Sequence, residues 1–125
     1  MNKPITSNNA PQAIGPYSQA VLTSNTLYVS GQLPIHPHTN QFVGNCIECQ
    51  TKQSLENILQ IVLASNLKKE DIVKCTVYLK NMSDFPKMNE VYQSFFDSHK
   101  PARVTVEVSK LPKDALVEID AIAVI

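Results

Sequence analysis

Tryptophan is absent from this chain, and glycine occurs only three times in 125 residues. Gly15, Gly31 and Gly44 are scattered, so no glycine-rich loop of the kind that cradles phosphate is present. With four tyrosines and four phenylalanines, no series of basic residues interleaved with aromatics exists to stack unpaired bases. Excess charge of either sign is also lacking: 11 Lys and Arg balance 11 Asp and Glu. A neutral chain has no summed positive field to draw it to a phosphate backbone, so nucleic acid is not an expected partner. The longest apolar run is Ala121 to Ile125. A membrane span needs roughly 20 such residues, so no membrane association is expected. Met1-Asn2-Lys3-Pro4-Ile5 has no apolar h-region, and a secretory signal is not expected. Three cysteines, an odd and sparse set, do not make a disulfide framework. A reduced, cytoplasmic setting is the expectation.

What is there suffices for a core. Hydrophobic residues are 43% of the chain and charged residues 18%, in a length that predicts one domain over residues 1–125. Residues 18–23 and 26–32 read as strands joined by a tight Ser24-Asn25 turn. The stretch Leu33 to Gly44, with two prolines, reads as a loop. Leu55, Ile58, Leu59, Val62 and Leu63 recur at helical spacing and predict an amphipathic helix over 47–65. Residues 72–80 alternate, with Val73, Cys75, Val77 and Leu79 on one face. Ser83 or Asp84 can cap a second helix to about residue 97, with Phe85, Met88, Tyr92, Phe95 and Phe96 as its apolar stripe. Residues 102–109 and 115–125 alternate again and read as a closing hairpin around Leu111-Pro112-Lys113-Asp114. The order β-β-α-β-α-β-β predicts an α+β fold, a mixed sheet with two helices packed on one face. The other face carries a mixture such as Tyr78, Thr105, Leu116 and Ile122, too apolar for full exposure and too polar for a dry core. Burial against another subunit of a closed oligomer satisfies both.

Arg103 follows Pro101-Ala102 on a strand, where a stiff backbone can aim its planar fork at a carboxylate. As a lone charge it also reads as an ordinary solvated arginine. Glu118 and Asp120 interrupt an apolar strand on one face; either is a base for a water or simply an outward polar residue. If odd residues of 102–109 share a face with even residues of 115–125, Arg103, Thr105, Glu118 and Asp120 cluster; a one-residue slip separates them. Tyr17 follows Ile14-Gly15-Pro16, and Ser30-Gly31 offers a hydroxyl and a backbone that a ligand can approach, or plain turn chemistry. Cys46-Ile47-Glu48-Cys49 is a CxxC at a helix start, readable as redox or zinc chemistry or as small packing residues; Cys75 points inward. His36 and His38 lie on one side of an extended segment, but a metal needs a third ligand, and no metal site is expected.

These positions resemble the RidA family, also called YjgF or L-PSP, nearly end to end. Ala10-Pro11-Gln12-Ala13-Ile14-Gly15-Pro16-Tyr17-Ser18-Gln19-Ala20 resembles the family's opening motif and Val29-Ser30-Gly31-Gln32 its second. Val73 to Leu79, with Met82 and Asp84-Phe85, resembles its central strand and helix cap. Pro101 to Val108, Leu111-Pro112 and Val117 to Ala121 resemble its closing signature. The resemblance implies a chorismate-mutase-like α+β fold and a homotrimer with clefts between subunits. It also implies hydrolysis of 2-imino and 2-aminoacrylate-type acids to 2-oxo acids and ammonia, without cofactor or metal. In that reading Arg103 holds the substrate carboxylate and Glu118 positions a water and shuttles protons. Tyr17, Ser30, Gly31, Asn89 and Thr105 line the substrate. Some relatives have Cys where Thr105 stands; both are small and polar, and binding is expected to persist. An RNA-cleaving activity and a non-catalytic 2-oxo-acid-binding regulatory trimer are the competing readings.

Overall fold

A computed structural model describes residues 2–125. Six strands, β1 (Asn2–Ile5), β2 (Ala20–Thr23), β3 (Thr26–Gln32), β4 (Ile72–Leu79), β5 (Ala102–Glu107) and β6 (Val117–Val124), form one sheet. Two helices, α1 (Ile47–Ala64) and α2 (Phe85–Phe96), complete the α+β fold. The spatial order is β1-β2-β3-β6-β4-β5, with β4 and β5 parallel and the other pairs antiparallel.

The β2–β3 hairpin turns at Ser24-Asn25 as expected, with Ser24 at φ 52°. The expected closing hairpin does not form. β6 inserts between β3 and β4, and β5 pairs instead with β4. The physical reason is the helix between β4 and β5: a crossover of that length returns the chain parallel to the strand it left. β6 then takes a position inside the sheet, where both of its edges are hydrogen-bonded. Strand β1 is a further difference, since no strand is expected before residue 18. It lies at the sheet edge, where the N–H that Pro4 lacks costs no ladder bond.

In α1 the buried positions are Ile47, Gln50, Thr51, Ser54, Leu55, Asn57, Ile58, Ile61 and Val62. Leu63, expected on the apolar stripe, is 47% exposed. The face against the sheet is rotated toward Ser54 and Ile61, because Asn57 has to reach inward: its Nδ2 donates to the carbonyls of Leu33 at 3.1 Å and Ile35 at 3.0 Å. That amide anchors the loop after β3, whose own backbone is held only by an isolated Ile35–Phe42 bridge. In α2, Met88, Tyr92 and Phe96 are buried and Pro86 sits in the first turn. Asp84 precedes the helix without a side-chain capping bond, because a short 3₁₀ turn over Met82–Asp84 leads into it.

Leu27, Leu55, Ile58, Ile61, Ile72, Val77, Leu79, Met88, Val117 and Ile119 are fully inaccessible and lie between the sheet and the two helices. The opposite sheet face is open: Tyr28 is 51% and Val104 45% exposed. Among the described residues no helix is long and apolar enough to cross a membrane. Leu55→Ala is expected to cost about 2–5 kcal/mol, as a core cavity does. Leu63→Ala should cost less than about 0.5 kcal/mol. Urea unfolding of both variants at one protein concentration measures the difference; similar losses would refute the rotated face.

Candidate functional site

Strand register decides where the candidate residues go. Arg103 is opposite Cys75 and Thr105 opposite Val77, both fully buried against the helices. Glu118 is opposite Tyr78 and Asp120 opposite Thr76, on the open face. The clustering condition is therefore not met: odd residues of β5 share a face with odd residues of β6. Arg103 and Thr105 stand on the helix side, Glu118 and Asp120 on the other.

The helix-side group is built at the sheet edge. Arg103 Nη1 donates to Asn89 Oδ1 at 2.8 Å. The guanidinium carbon lies 4.8 Å from the Tyr92 ring centre and 5.4 Å from that of Phe85. Two aromatic faces and one amide thus hold the side chain in place while most of its five donors stay free. Asn89, Tyr92 and Arg103 line a cleft of about 430 Å³. The only ion pair among the described residues is Lys80 with Asp114, so Arg103 has no carboxylate partner there. The buried Oγ1 of Thr105 and hydroxyl of Tyr92 accept and donate no hydrogen bond. Tyr92 belongs to the core, as its place on the apolar stripe predicts, and its spacing three residues after Asn89 also puts it on the Arg103 side of α2. Beneath this group, burial pushes the Cys75 thiol up to about 11, a group that stays protonated at neutral pH.

The open-face group gathers around Gly31. A Cβ at this position would overlap Glu118 Oε2 and come within 2.9 Å of its Cδ. Glycine is needed there because the carboxylate lies along the backbone. Burial first, then the Asp120 charge, pushes the Glu118 carboxyl above its ordinary 4.5. Asp120 accepts a hydrogen bond from the Tyr78 hydroxyl at 3.0 Å. The Ser30 hydroxyl donates to the Ser18 carbonyl at 2.7 Å, which leaves its lone pairs available. Tyr17, 51% exposed, and Gly31 line a cleft of about 450 Å³ together with Gln12, Gln32 and Lys113.

Buried Gln19 positions the opening segment. Its Oε1 accepts from Ser7 N–H at 2.6 Å, and its Nε2 donates to the carbonyls of Pro11 at 2.7 Å and Ser7 at 3.2 Å. Gln19 stands inside the opening motif, but its spacing alone gives no sign of these bonds. His36 and His38 have ring centres 5.6 Å apart. Among the described residues no group of three or more His, Cys, Asp or Glu could hold a metal ion.

The chain thus presents two separate groups of candidate residues. The first offers a pinned, unpaired cation; the second offers a carboxylate with a raised proton affinity, a hydroxyl and an accessible backbone. The first can hold an anion and the second can move a proton, but they face opposite ways.

The chain is 54% identical to a RutC family protein of Pyrococcus horikoshii over 98% of both chains. It is 47% identical to the 2-iminobutanoate/2-iminopropanoate deaminase of Escherichia coli, over 99% of this chain and 98% of that one. The solved structure of Escherichia coli TdcF with bound serine superposes with a TM-score of 0.94 at 44% identity, covering 98% of both chains. The family model Endoribonuclease L-PSP matches residues 7–125, and this chain belongs to that family, the one also called RidA or YjgF.

Proposed function

We propose that the protein is a hydrolytic deaminase that converts 2-imino and 2-aminoacrylate-type acids to 2-oxo acids and ammonia. The active clefts lie between the subunits of a homotrimer. The observation that carries this reading is Arg103: a half-buried cation ordered by Asn89 and two aromatic rings, with no carboxylate of its own among the described residues. An unpaired cation held this rigidly is organised for an anionic ligand, and its planar fork matches a carboxylate. The deaminase named among the relatives acts on small acids of this kind.

Glu118 faces away from Arg103 within a protomer, so a second copy has to supply it. The open face supports this, since Tyr28, Val104 and Val106 leave it partly apolar and uncovered. In the assembled cleft, Arg103 and Asn89 of one subunit fix the substrate carboxylate. Thr105 Oγ1, lacking a partner of its own, accepts or donates to a remaining polar atom. Glu118, Ser30, Gly31 and Tyr17 of the adjoining subunit close over the imine carbon. Glu118 takes a proton from water as its oxygen attacks C2 and passes it to the imine nitrogen, giving a carbinolamine; it then carries the hydroxyl proton to the same nitrogen as the C2–N bond breaks, the carbonyl forms and ammonia leaves. Imines already hydrolyse in water; orientation plus one acid–base group is adequate catalysis. Neither a cofactor nor a metal enters this scheme. The zero net charge and lack of aromatic–basic interleaving do not support RNA cleavage.

Three outcomes test the proposal with imines generated in situ by a dehydratase and unhydrolysed imine trapped by semicarbazide. Arg103→Ala should lower kcat/KM by on the order of 10²-fold, the worth of two charge-assisted hydrogen bonds. Full activity would remove the carboxylate clamp. Glu118→Gln should lower kcat by about 10²–10⁴-fold. In the wild type, kcat should fall as acid protonates Glu118, at a pH above the ordinary carboxyl value of 4.5. The Gln variant should lack that acid limb. Finally, Arg103→Ala and Glu118→Gln protomers, co-refolded in equal amounts, should regain activity in roughly a quarter of the clefts, the share that draws both intact residues from different subunits. No recovery would mean that the two groups serve one subunit each and that no shared cleft exists. Binding of a 2-oxo acid that depends on Arg103, without turnover, would make the protein a ligand-binding trimer instead.

A further inference from the structure

The three cysteines occupy two different environments. Cys75 is fully buried, and packing accounts for it. Cys46 is exposed and Cys49 half-buried, so packing does not account for the pair. Neither residue belongs to the clefts described above.

Cys46 is the N-cap of α1, an 18-residue helix. Its extended backbone, φ −96° and ψ 141°, brings the side chain back over the first turn, where its Sγ accepts a hydrogen bond from Cys49 N–H at 3.0 Å. The two Cα atoms are 5.4 Å apart, inside the span a disulfide requires, and the structure joins the two sulfurs. Gln50 holds this arrangement from behind. Its N–H donates to the Cys46 carbonyl at 3.0 Å and its Nε2 to the Gly44 carbonyl at 2.7 Å. Its Oε1 accepts from Leu116 N–H at 2.9 Å, which ties the turn to the segment entering β6. These bonds do not involve the sulfurs, so the turn keeps its shape whether the thiols are free or joined. At Gly44, φ 151°, even a Cβ would come within 3.2 Å of Cys49 Sγ, so the absent side chain leaves that sulfur open on its outer side.

We propose that Cys46 and Cys49 are a redox-active pair that exchanges with low-molecular-weight disulfides and dithiols. The helix N-terminus and the Cys49 N–H both favour a thiolate on Cys46, which makes it the attacking sulfur. That thiolate attacks one sulfur of a small disulfide, RSSR. The S–S bond breaks, one RS⁻ leaves and takes up a proton, and a mixed disulfide remains on Cys46. Cys49 releases its proton to solvent, and its sulfur attacks Cys46 Sγ. The second RS⁻ departs and is protonated. Two protein thiols have lost two electrons and RSSR has become two RSH. A small dithiol drives the reverse. The pair has only two sulfur donors and no third ligand nearby among the described residues, so a metal is the poorer occupant.

The test uses the full-length reduced protein, glutathione disulfide as oxidant, acid quench, thiol alkylation and intact-mass measurement. The wild type and Cys75→Ala should both become lighter by two hydrogen masses, with residues 46 and 49 protected from alkylation and no glutathione retained. Cys49→Ser should accumulate a glutathione adduct on Cys46, several-fold faster than Cys46→Ser accumulates one on Cys49. Circular dichroism establishes that each variant is folded. Persistent alkylation of both cysteines in the wild type under excess oxidant would overturn the proposal, as would a stable, unresolved glutathione adduct. Equal or reversed trapping rates in the two single variants would overturn Cys46 as the attacking sulfur.

Discussion

A pleated strand has two faces, and β4 imposes its alternation on both of its neighbours. Cys75 and Val77 point into the core, so the residues paired with them, Arg103 and Thr105 in β5 and Ala121 and Ile119 in β6, point the same way. Tyr78 and Thr76 point outward, and with them Glu118 and Asp120. A slip of one residue in the β4–β6 pairing would bury Glu118 and Asp120 against the helices in place of Val117, Ile119 and Ala121. Burying those charges without a partner costs more than the strand could recover, so the register is strongly determined. The separation of cation and carboxylate follows from the same requirement that gives the sheet an apolar core. The chain therefore carries a cation and a carboxylate on two different faces of one sheet.

The two groups are held by different kinds of interaction. At the sheet edge, aromatic faces and an amide orient Arg103 without neutralising it, and the neighbouring hydroxyls of Thr105 and Tyr92 remain unpaired. On the open face, Glu118 rests against a glycine backbone, partly desolvated and beside a second carboxylate. The first environment keeps a charge available for a ligand. The second weakens a charge, which brings a carboxyl closer to the proton affinity that acid–base work at neutral pH requires.

Buried amides do the structural work where ladders stop. Gln19 binds the opening segment, Asn57 the loop after β3, and Gln50 the turn before α1 together with the approach to β6. Each replaces backbone partners that an irregular segment lacks, and each sits at or next to a candidate functional feature. Polar residues on the inner face of α1 are therefore part of what positions the surface chemistry.

Local pattern was enough for most elements. The alternation of Cys75, Val77 and Leu79, the Ser24-Asn25 turn and the helical spacing of Leu55, Ile58 and Val62 are properties of neighbouring residues and appear in the structure, whereas Val73, expected on the inner face, is 44% exposed beside a bulge between Ile72 and Lys74. The motifs around Tyr17, Gly31, Arg103 and Glu118 likewise carried the family, because those residue types stand in fixed order along the chain. Strand partners were different. Residues 102–109 and 115–125 looked like a hairpin because a short turn joins them, whereas the pairing depends on which edge each strand meets after the helices have packed. Leu63 fell outside the core because Asn57 turned the helix toward distant carbonyls. Alternation and spacing are local and can be read along one chain. Register between remote strands, the face on which Arg103 and Glu118 each stand, and the company each keeps are non-local, and only the assembled tertiary structure decided them.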